Sequence, residues 1–356
     1  MSVKRTPDFS PVARLIADAQ AAHAFPAAAV EVGTPAGPIW RHTAGHLTYG
    51  EDAAAVTEDT LFDLASLTKV LATTPLAMRL LASRHLFLNS PVSAYVRDWS
   101  GLDRASVVIS DLLEHAAGLT SWWDLYRRAQ SRSDFAHEIA TMPLEYAPRT
   151  RSIYSDLGFI LLGLILESID GRRMDDQFAD DLASPDLLFR PSPDQRARTA
   201  PTEDDRAWRG RLLVGEVHDE NAWALDGVAG HAGLFGTVGA VGAHARLALE
   251  TLRRPTRLGT PWLMARILTP SRVPGSSRAL GWDLMRPTSS CGRRLSPRAF
   301  GHTGFTGVSL WIDPLRDLYV VLLTNRVHPS RPADPQDVLA RLRPQVHEAV
   351  IAALED

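Results

Sequence analysis

Apolar residues recur with a helical period near the start of the chain. In "PVARLIADAQAAHA", Val12, Leu15, Ile16 and Ala19 fall on one face, which predicts an amphipathic helix. "AAAVEVGT" and "GPIWRHTAGHLTYG" alternate on either side of Gly37 and predict a strand pair. From about Ser66, "SLTKVLATTPLAMRLLA" returns to helical spacing through Leu67, Val70, Leu71, Leu80 and Leu81. Pro75 predicts a kink or break inside it. Residues 76 to 225 read mostly as helix and loop. "SDLLEHAAGL" predicts a short helix capped by Ser110 and closed by Gly118. "SDLGFILLGLILESIDG" predicts another, opening at Ser155 or Asp156 and ending at Gly171; it is apolar all round and so expected to be buried. "RPSPDQRARTAPTEDD" reads as a long polar loop.

Past residue 225 the pattern changes. "GVAGHAGLFGTVGAVG" predicts a tight glycine loop, then a helix from Thr237. "ALGWDLM", "AFGHTGF", "GVSLWIDP" and "DLYVVLLTN" read as four strands, and "DPQDVLARLRPQVHEAVIAAL" as a closing amphipathic helix. Strands at both ends with helices between them predict an α+β fold carrying a helical insertion.

Composition narrows the function classes. The chain has 356 residues, 45% apolar and 22% charged, as in a soluble globular protein. A net charge of -3 gives no basic face for nucleic acid. Cys291 is the one cysteine, so no intramolecular disulfide forms and the fold does not depend on an oxidising compartment. The opening "MSVKRTPDFS" has basic residues but no apolar run behind them. The uncharged part of "LGFILLGLILESI" is roughly ten residues, short of the ~20 that span a bilayer. No signal peptide or membrane segment is read, and a cytoplasmic protein is expected. Twelve scattered histidines suggest no metal site, and no cofactor is expected.

Three short motifs carry candidate chemistry. Ser66 and Lys69 lie three apart on the predicted helix and so face the same way. A serine becomes a nucleophile when a neighbouring base takes its proton. Lysine can be that base only when burial or another cation lowers its pKa, and Leu64, Leu67, Val70 and Leu71 supply apolar surroundings. "YSD", Tyr154 to Asp156, stands at the mouth of the predicted buried helix, and "HTG", His302 to Gly304, on a predicted strand before a glycine turn.

In order and spacing, "LASLTK", "YSD" and "GHTG" resemble the motifs of class C β-lactamase-like serine hydrolases, a family of esterases, D-alanyl peptidases and β-lactamases. "ISDLLEHAAGL", "VAGHAGLFGTV" and "GFTGVSLWIDPLRDLYVVLLTNRVHP" also resemble family segments, so the likeness covers about residues 10 to 350. It implies a central antiparallel sheet flanked by the N- and C-terminal helices. Residues 1–75 and 232–356 would form this α/β lobe and 76–231 a mainly helical lobe, with the site in the cleft between them. It implies Ser66 as nucleophile, Lys69 as its proton partner and Tyr154 as second acid/base. The backbone N–H groups of Ser66 and Phe305 would form the oxyanion hole, and Thr303 and Gly304 the edge against which substrate lies. The expected reaction is acyl transfer to water on a small ester, amide or peptide: a carboxylesterase or amidase, or else a D-alanyl-D-amino-acid peptidase, a weak β-lactamase or an inactive ligand-binding sensor.

Two residues depart from the family pattern. Asp156 stands where many relatives have asparagine; an ionised carboxylate cannot donate a hydrogen bond, and it would hold Lys69 protonated. It also suits a helix cap. His302 replaces a lysine that helps relatives bind a substrate carboxylate, which favours neutral substrates. Lesser candidates are His218 and Asn221 in "GEVHDENAW" as a substrate-binding wall or a solvated loop, and His231 as a cleft or structural histidine. His115 is expected to satisfy carbonyls near a helix end. Trp122, Trp123 and Trp223 could form an apolar pocket or belong to the core.

Overall fold

In a computed structural model of the chain, residues 6–331 and 338–355 are described. Helix α1 (Ser10–Ala21) buries Val12, Ile16 and Ala19, the predicted stripe. Strands β1 (Ala27–Thr34) and β2 (Gly37–Gly45) form the predicted antiparallel hairpin, with Gly37 at a positive φ of 142° where a side chain would be strained.

The helix expected from Ser66 is there, but its start is wound irregularly. After β3 (Phe62–Asp63) comes a 3₁₀ turn over Ala65–Leu67 and a π turn over Lys69–Thr73. Regular α2 runs only over Thr74–Ala82. Helical backbone continues through Thr73 and Thr74 into α2, so Pro75 has no N–H to give the turn before it, and the π turn that directly precedes it is the break expected there.

Helix α3 covers Ile109–Leu113, capped by the Asp111 carboxylate on the Val108 N–H (2.9 Å) and not by Ser110. It stops before Gly118 because His115 turns left-handed at φ 56°. Helix α4 (Arg132–Thr141) follows, then the buried α5 (Asp156–Asp170), capped by Ser155 and closed by Gly171 as predicted. Next come α6 (Met174–Asp181) and β4 (Leu187–Phe189). The stretch read as one long polar loop contains α7 (Pro193–Arg196) and ends in β5 (Asp204–Asp205), which pairs with β6 (Arg211–Leu212). Ser192 and Gln195 cap α7 reciprocally, a box the polar composition masked.

Helix α8 (Glu220–Ala224) leads into the glycine-rich segment, and β7 (Leu234–Gly236) and α9 (Val238–Thr251) lead out of it, with Thr237 capping α9. After α10 (Pro261–Ile267) come β8 (Asp283–Leu284), β9 (Phe300–Thr303), β10 (Ser309–Asp313), β11 (Leu318–Thr324) and α11 (Val338–Glu355). "ALGWDLM" yields only the two residues of β8, because Gly281 turns left-handed (φ 85°) against Thr74. Residues 334–337 of the expected closing helix lie outside the described residues.

The six-stranded sheet is antiparallel throughout, in the order β2-β1-β11-β10-β9-β8. One apolar cluster joins it to α1 and α11 through Ile16, Val320, Val346 and Val350. A second joins its other face to α9 and continues through α2 and α5. Buried Glu31 on β1 ties α9 to the sheet, binding Arg41 (2.6 Å), Arg246 (3.2 Å) and the Tyr319 hydroxyl (2.6 Å). A small sheet, β3-β7-β4, sets the approach to Ser66. This is the α+β architecture expected, with an antiparallel sheet between terminal helices. No helix among the described residues is long and apolar enough to cross a membrane.

Candidate active site

Ser66 is presented by a strained turn. Ala65, just before it, has φ 45°, an uncommon conformation for a residue with a Cβ. Buried Asp63 holds that conformation. One carboxylate oxygen accepts the Ala65 N–H (2.8 Å) and the other the His218 N–H (2.7 Å). Burial pushes the Asp63 carboxyl up, against the pull of those two N–H groups. Thr68 closes the turn, donating its hydroxyl to the Ala65 carbonyl (2.6 Å) and accepting the Leu234 N–H from β7 (3.1 Å).

Lys69 is fully buried beneath Ser66. Its Nζ donates to Ser66 Oγ (2.9 Å), Tyr154 OH (2.7 Å) and Asp156 Oδ1 (2.7 Å), with the His231 carbonyl farther off at 3.2 Å. Burial alone would pull the ammonium down, as the apolar neighbours suggested. The Asp156 carboxylate, and then Tyr154, more than reverse this and hold Lys69 above its ordinary value. The resting Lys69 is therefore a cation and not a ready base.

Tyr154 is also raised, first by burial and then by Asp156, while Lys69 opposes both. It rests as a phenol that donates to Ser66 Oγ (2.7 Å). Ser66, Lys69, Tyr154 and Asp156 thus form one hydrogen-bonded cluster that carries a proton too many to activate the serine. Two imidazoles flank the phenol ring, His115 at 4.8 Å and His302 at 5.9 Å between centroids. Burial, then the charges of Arg278 and Lys69, hold both well below the usual histidine range, so both are neutral. His115 Nδ1 accepts the Ser155 N–H (3.0 Å), so this ring fixes the start of α5, not the carbonyls of α3. His302 Nδ1 donates to the Thr303 carbonyl (2.7 Å), which leaves its Nε2 a bare acceptor.

The opposite wall is the end of β9. His302, Thr303, Gly304 and Phe305 all line the cleft, whose volume is about 630 Å³. Gly304 passes so close to the Ser66 turn that a Cβ there would stand 2.8 Å from the Leu64 carbonyl and 3.2 Å from the Ala65 Cβ. This approach holds the end of β9 against the Leu64–Ala65 turn, and Phe305 and Ser66 line the same cleft. His218 supports the same wall: its ring stacks on Phe305 (5.7 Å) and its Nε2 meets Glu203 Oε2 (2.9 Å). Burial works against the Glu203 carboxylate, but His218 and Arg331 bring it down to about 2.

Asn221 does not join this cleft. It is fully buried, accepting the Tyr126 N–H (2.9 Å) and donating to the Trp123 carbonyl (2.8 Å), so it anchors the 123–126 loop and has no amide free for substrate. His231 lines the cleft but is clamped to Asp219 Oδ1 (2.7 Å). Of the three tryptophans, only Trp122 lines the cleft. Two members were not legible in the sequence. Asp63 lies just before "LASLTK", with no signal in the sequence that its carboxylate holds the turn. Arg278 comes from the connection before β8; its guanidinium lies 5.3 Å from the Tyr154 ring centre and, among the described residues, has no hydrogen-bond or ion-pair partner. No described group of three His, Cys, Asp or Glu side chains comes together to hold a metal.

One consequence is measurable. Asp156 raises both Lys69 and Tyr154, so Asp156→Asn should lower both and enlarge the deprotonated fraction at neutral pH. The acid limb of kcat/KM for p-nitrophenyl acetate should move to lower pH, with activity at pH 6–7 up roughly tenfold. A limb that stays in place, or moves up, would remove Asp156 from the control of that proton.

The sequence as a whole matches the model of the Beta-lactamase family over residues 12–343. It is 30% identical over 325 residues to a protein of Escherichia coli (strain K12) named "Putative D-alanyl-D-alanine carboxypeptidase", covering 80% of this chain and 73% of that one. It is 31% identical over 313 residues to an N-acetylmuramyl-L-alanine amidase of Bacillus subtilis (strain 168), covering 78% and 70%. The fold is similar to that of a penicillin-binding protein homologue from Caulobacter crescentus, with a TM-score of 0.76 at 20% identity over 99% of both chains.

Proposed function

The chain belongs to the beta-lactamase family of serine hydrolases, which work through an acyl-enzyme, and from that premise we propose that it cleaves small amides or esters whose leaving part bears a carboxylate. In this reading Ser66 is the acylated residue. Once the Lys69–Tyr154–Asp156 cluster has lost a proton, Tyr154 takes the hydroxyl proton of Ser66. Oγ then attacks the carbonyl carbon, and the oxyanion is held by the N–H groups of Ser66 and Phe305. Tyr154 returns the proton to the leaving nitrogen or oxygen as that bond breaks. Water repeats the cycle in reverse to free Ser66.

The observation that carries the substrate class is Arg278. Neutral His302 offers no charge to a carboxylate, which by itself favours neutral substrates. The guanidinium of Arg278, over the ring of the acid that serves the leaving group and without an ion-pair partner among the described residues, supplies one. It shifts the balance from a plain carboxylesterase toward the peptidase alternative. The names of the E. coli and B. subtilis relatives, a carboxypeptidase and an amidase, support an amide substrate. The exposed rings of Trp122 and Phe305 in the cleft keep a second reading open, an esterase for apolar acyl groups.

Incubation with a fluorophosphonate followed by peptide mass analysis tests the acyl-enzyme. The adduct is expected on Ser66 alone; an unlabelled protein would leave the sensor reading in its place. Arg278→Ala is expected to lower kcat/KM for N-acetyl-D-alanyl-D-alanine about 10- to 100-fold, the worth of a charged hydrogen bond, with little effect on its C-terminal amide. Equal losses on both would remove the carboxylate from the proposal.

A further inference from the structure

Charged side chains line both walls of the cleft, and most are spent on the protein itself. Asp219 Oδ1 accepts His231 Nε2 (2.7 Å) and the Ala222 N–H (2.8 Å). Glu220 pairs with Arg331, and Asp283 accepts the Ser277 hydroxyl (2.5 Å). Arg343 donates to the Gly304 and Val308 carbonyls (2.9 and 3.0 Å). Asp156 differs. Lys69 occupies Oδ1, and among the described residues no group donates to Oδ2. The side chain is 18% exposed and lines the cleft.

Its neighbours on that wall are Ser121 and Trp122. The Asp156 N–H donates to the Ser121 carbonyl (2.8 Å), which fixes this stretch beside the carboxylate. The indole of Trp122 is 42% exposed. An acceptor-only oxygen lining the same cleft as an exposed tryptophan, one residue from the Ser121 carbonyl it is tied to, suits a cation: the carboxylate gives charge-assisted hydrogen bonds, and tryptophan is the ring that attracts cations most strongly.

Resting on the acyl-enzyme reading above, we propose that Asp156 Oδ2 and Trp122 form an ammonium subsite, so that the acyl group transferred to Ser66 is an aminoacyl group with a free, protonated α-amine. The span is suitable. An α-nitrogen stands one Cα away from the attacked carbonyl carbon, about 2.5 Å. Asp156 and Ser66 both contact the same Lys69 Nζ, at 2.7 and 2.9 Å. An asparagine here could offer an N–H to a carbonyl of the acyl group; this carboxylate can only receive, so the preference turns toward a donor. The incoming ammonium also shares Asp156 with Lys69 and repels it, which loosens the Lys69 proton and couples recognition to activation.

The test compares the methyl esters of D- and L-alanine with their N-acetyl counterparts. None of these carries a carboxylate, so Arg278 is silent. The wild type is expected to favour the free amine of the reactive enantiomer at least tenfold in kcat/KM at pH 7. That ratio should fall as pH passes about 8 and the amine loses its proton. Asp156→Asn should bring the ratio to near unity, whatever it does to absolute rates, because the general-base effect is common to both esters. Trp122→Ala should lower the ratio too. Equal turnover of amine and N-acetyl ester by the wild type overturns the subsite, as does a preference that survives Asp156→Asn. Ser66 labelled by the fluorophosphonate with neither ester cleaved also overturns it. Failure of labelling strikes the acyl-enzyme reading instead.

Discussion

Ser66→Ala is expected to lower kcat for p-nitrophenyl acetate by about 10⁴- to 10⁶-fold, and Lys69→Met by nearly as much, with no further loss in the double variant. In the acyl-enzyme proposed above, the two residues act as one unit. Ser66 Oγ is bonded to Lys69 Nζ and Tyr154 OH, and Lys69 joins both to Asp156. Removing the serine leaves no oxygen to acylate. Removing the ammonium leaves the serine but takes away the charge that brings a phenolate within reach, together with the contact that aims Oγ. Methionine fills the fully buried site without a charge. The Asp156 carboxylate it leaves unpaired still reaches solvent, so the fold should survive, as a near-unchanged thermal transition would confirm. Multiplying losses in the double variant would show independent roles. Lys69→Met with more than a tenth of wild-type activity would remove the lysine from the proton chemistry.

The sequence pattern was most informative where local and tertiary demands agree. The β1–β2 hairpin and α5 carry their own periodicity and caps, so their place in the fold was legible. Helix α3 was not: "LLEHAAGL" continues a helical pattern to Gly118, but the chain ends it at His115. The bonds that hold this end come from afar, with Tyr146 OH (2.9 Å) and the Ile153 N–H (3.1 Å) both donating to the His115 carbonyl. The site divides in the same way. Ser66, Lys69 and Tyr154 were marked by spaced motifs, and they meet. For Asn221 the sequence leaves a cleft wall and a solvated loop as readings, and neither is its buried place, because a polar side chain in a loop does not reveal where its amide points. Arg278 lies in a connection without periodicity or motif, and that its guanidinium sits over Tyr154 with no hydrogen-bond or ion-pair partner among the described residues is something only three dimensions disclose. The state of Lys69 was the finest point. Burial and Asp156 act in opposite directions on one ammonium, and the outcome depends on a 2.7 Å contact that spacing cannot supply.

Gly304→Ala is the sharpest test of the oxyanion hole proposed above, because it adds one carbon and no polarity. That carbon would stand 2.5 Å from the Val308 Cγ2, 2.8 Å from the Leu64 carbonyl and 3.2 Å from the Ala65 Cβ. A side-chain methyl can rotate away, but the Leu64 carbonyl is tied into the nucleophile turn, accepting the Leu67 N–H at 2.9 Å. The strand end must therefore retreat from Ala65 and Ser66, and Phe305 goes with it. One misplaced oxyanion donor is worth about 10²- to 10³-fold in kcat, and KM should change much less because the ground-state carbonyl does not need the hole. Val308→Ala in the same chain removes the 2.5 Å contact only. The double variant should recover part of the lost thermal stability and none of the lost kcat. Recovery of kcat with Val308→Ala would mean that the Leu64 approach does not set the hole. A loss confined to KM would mean that Phe305 positions substrate instead of the transition state.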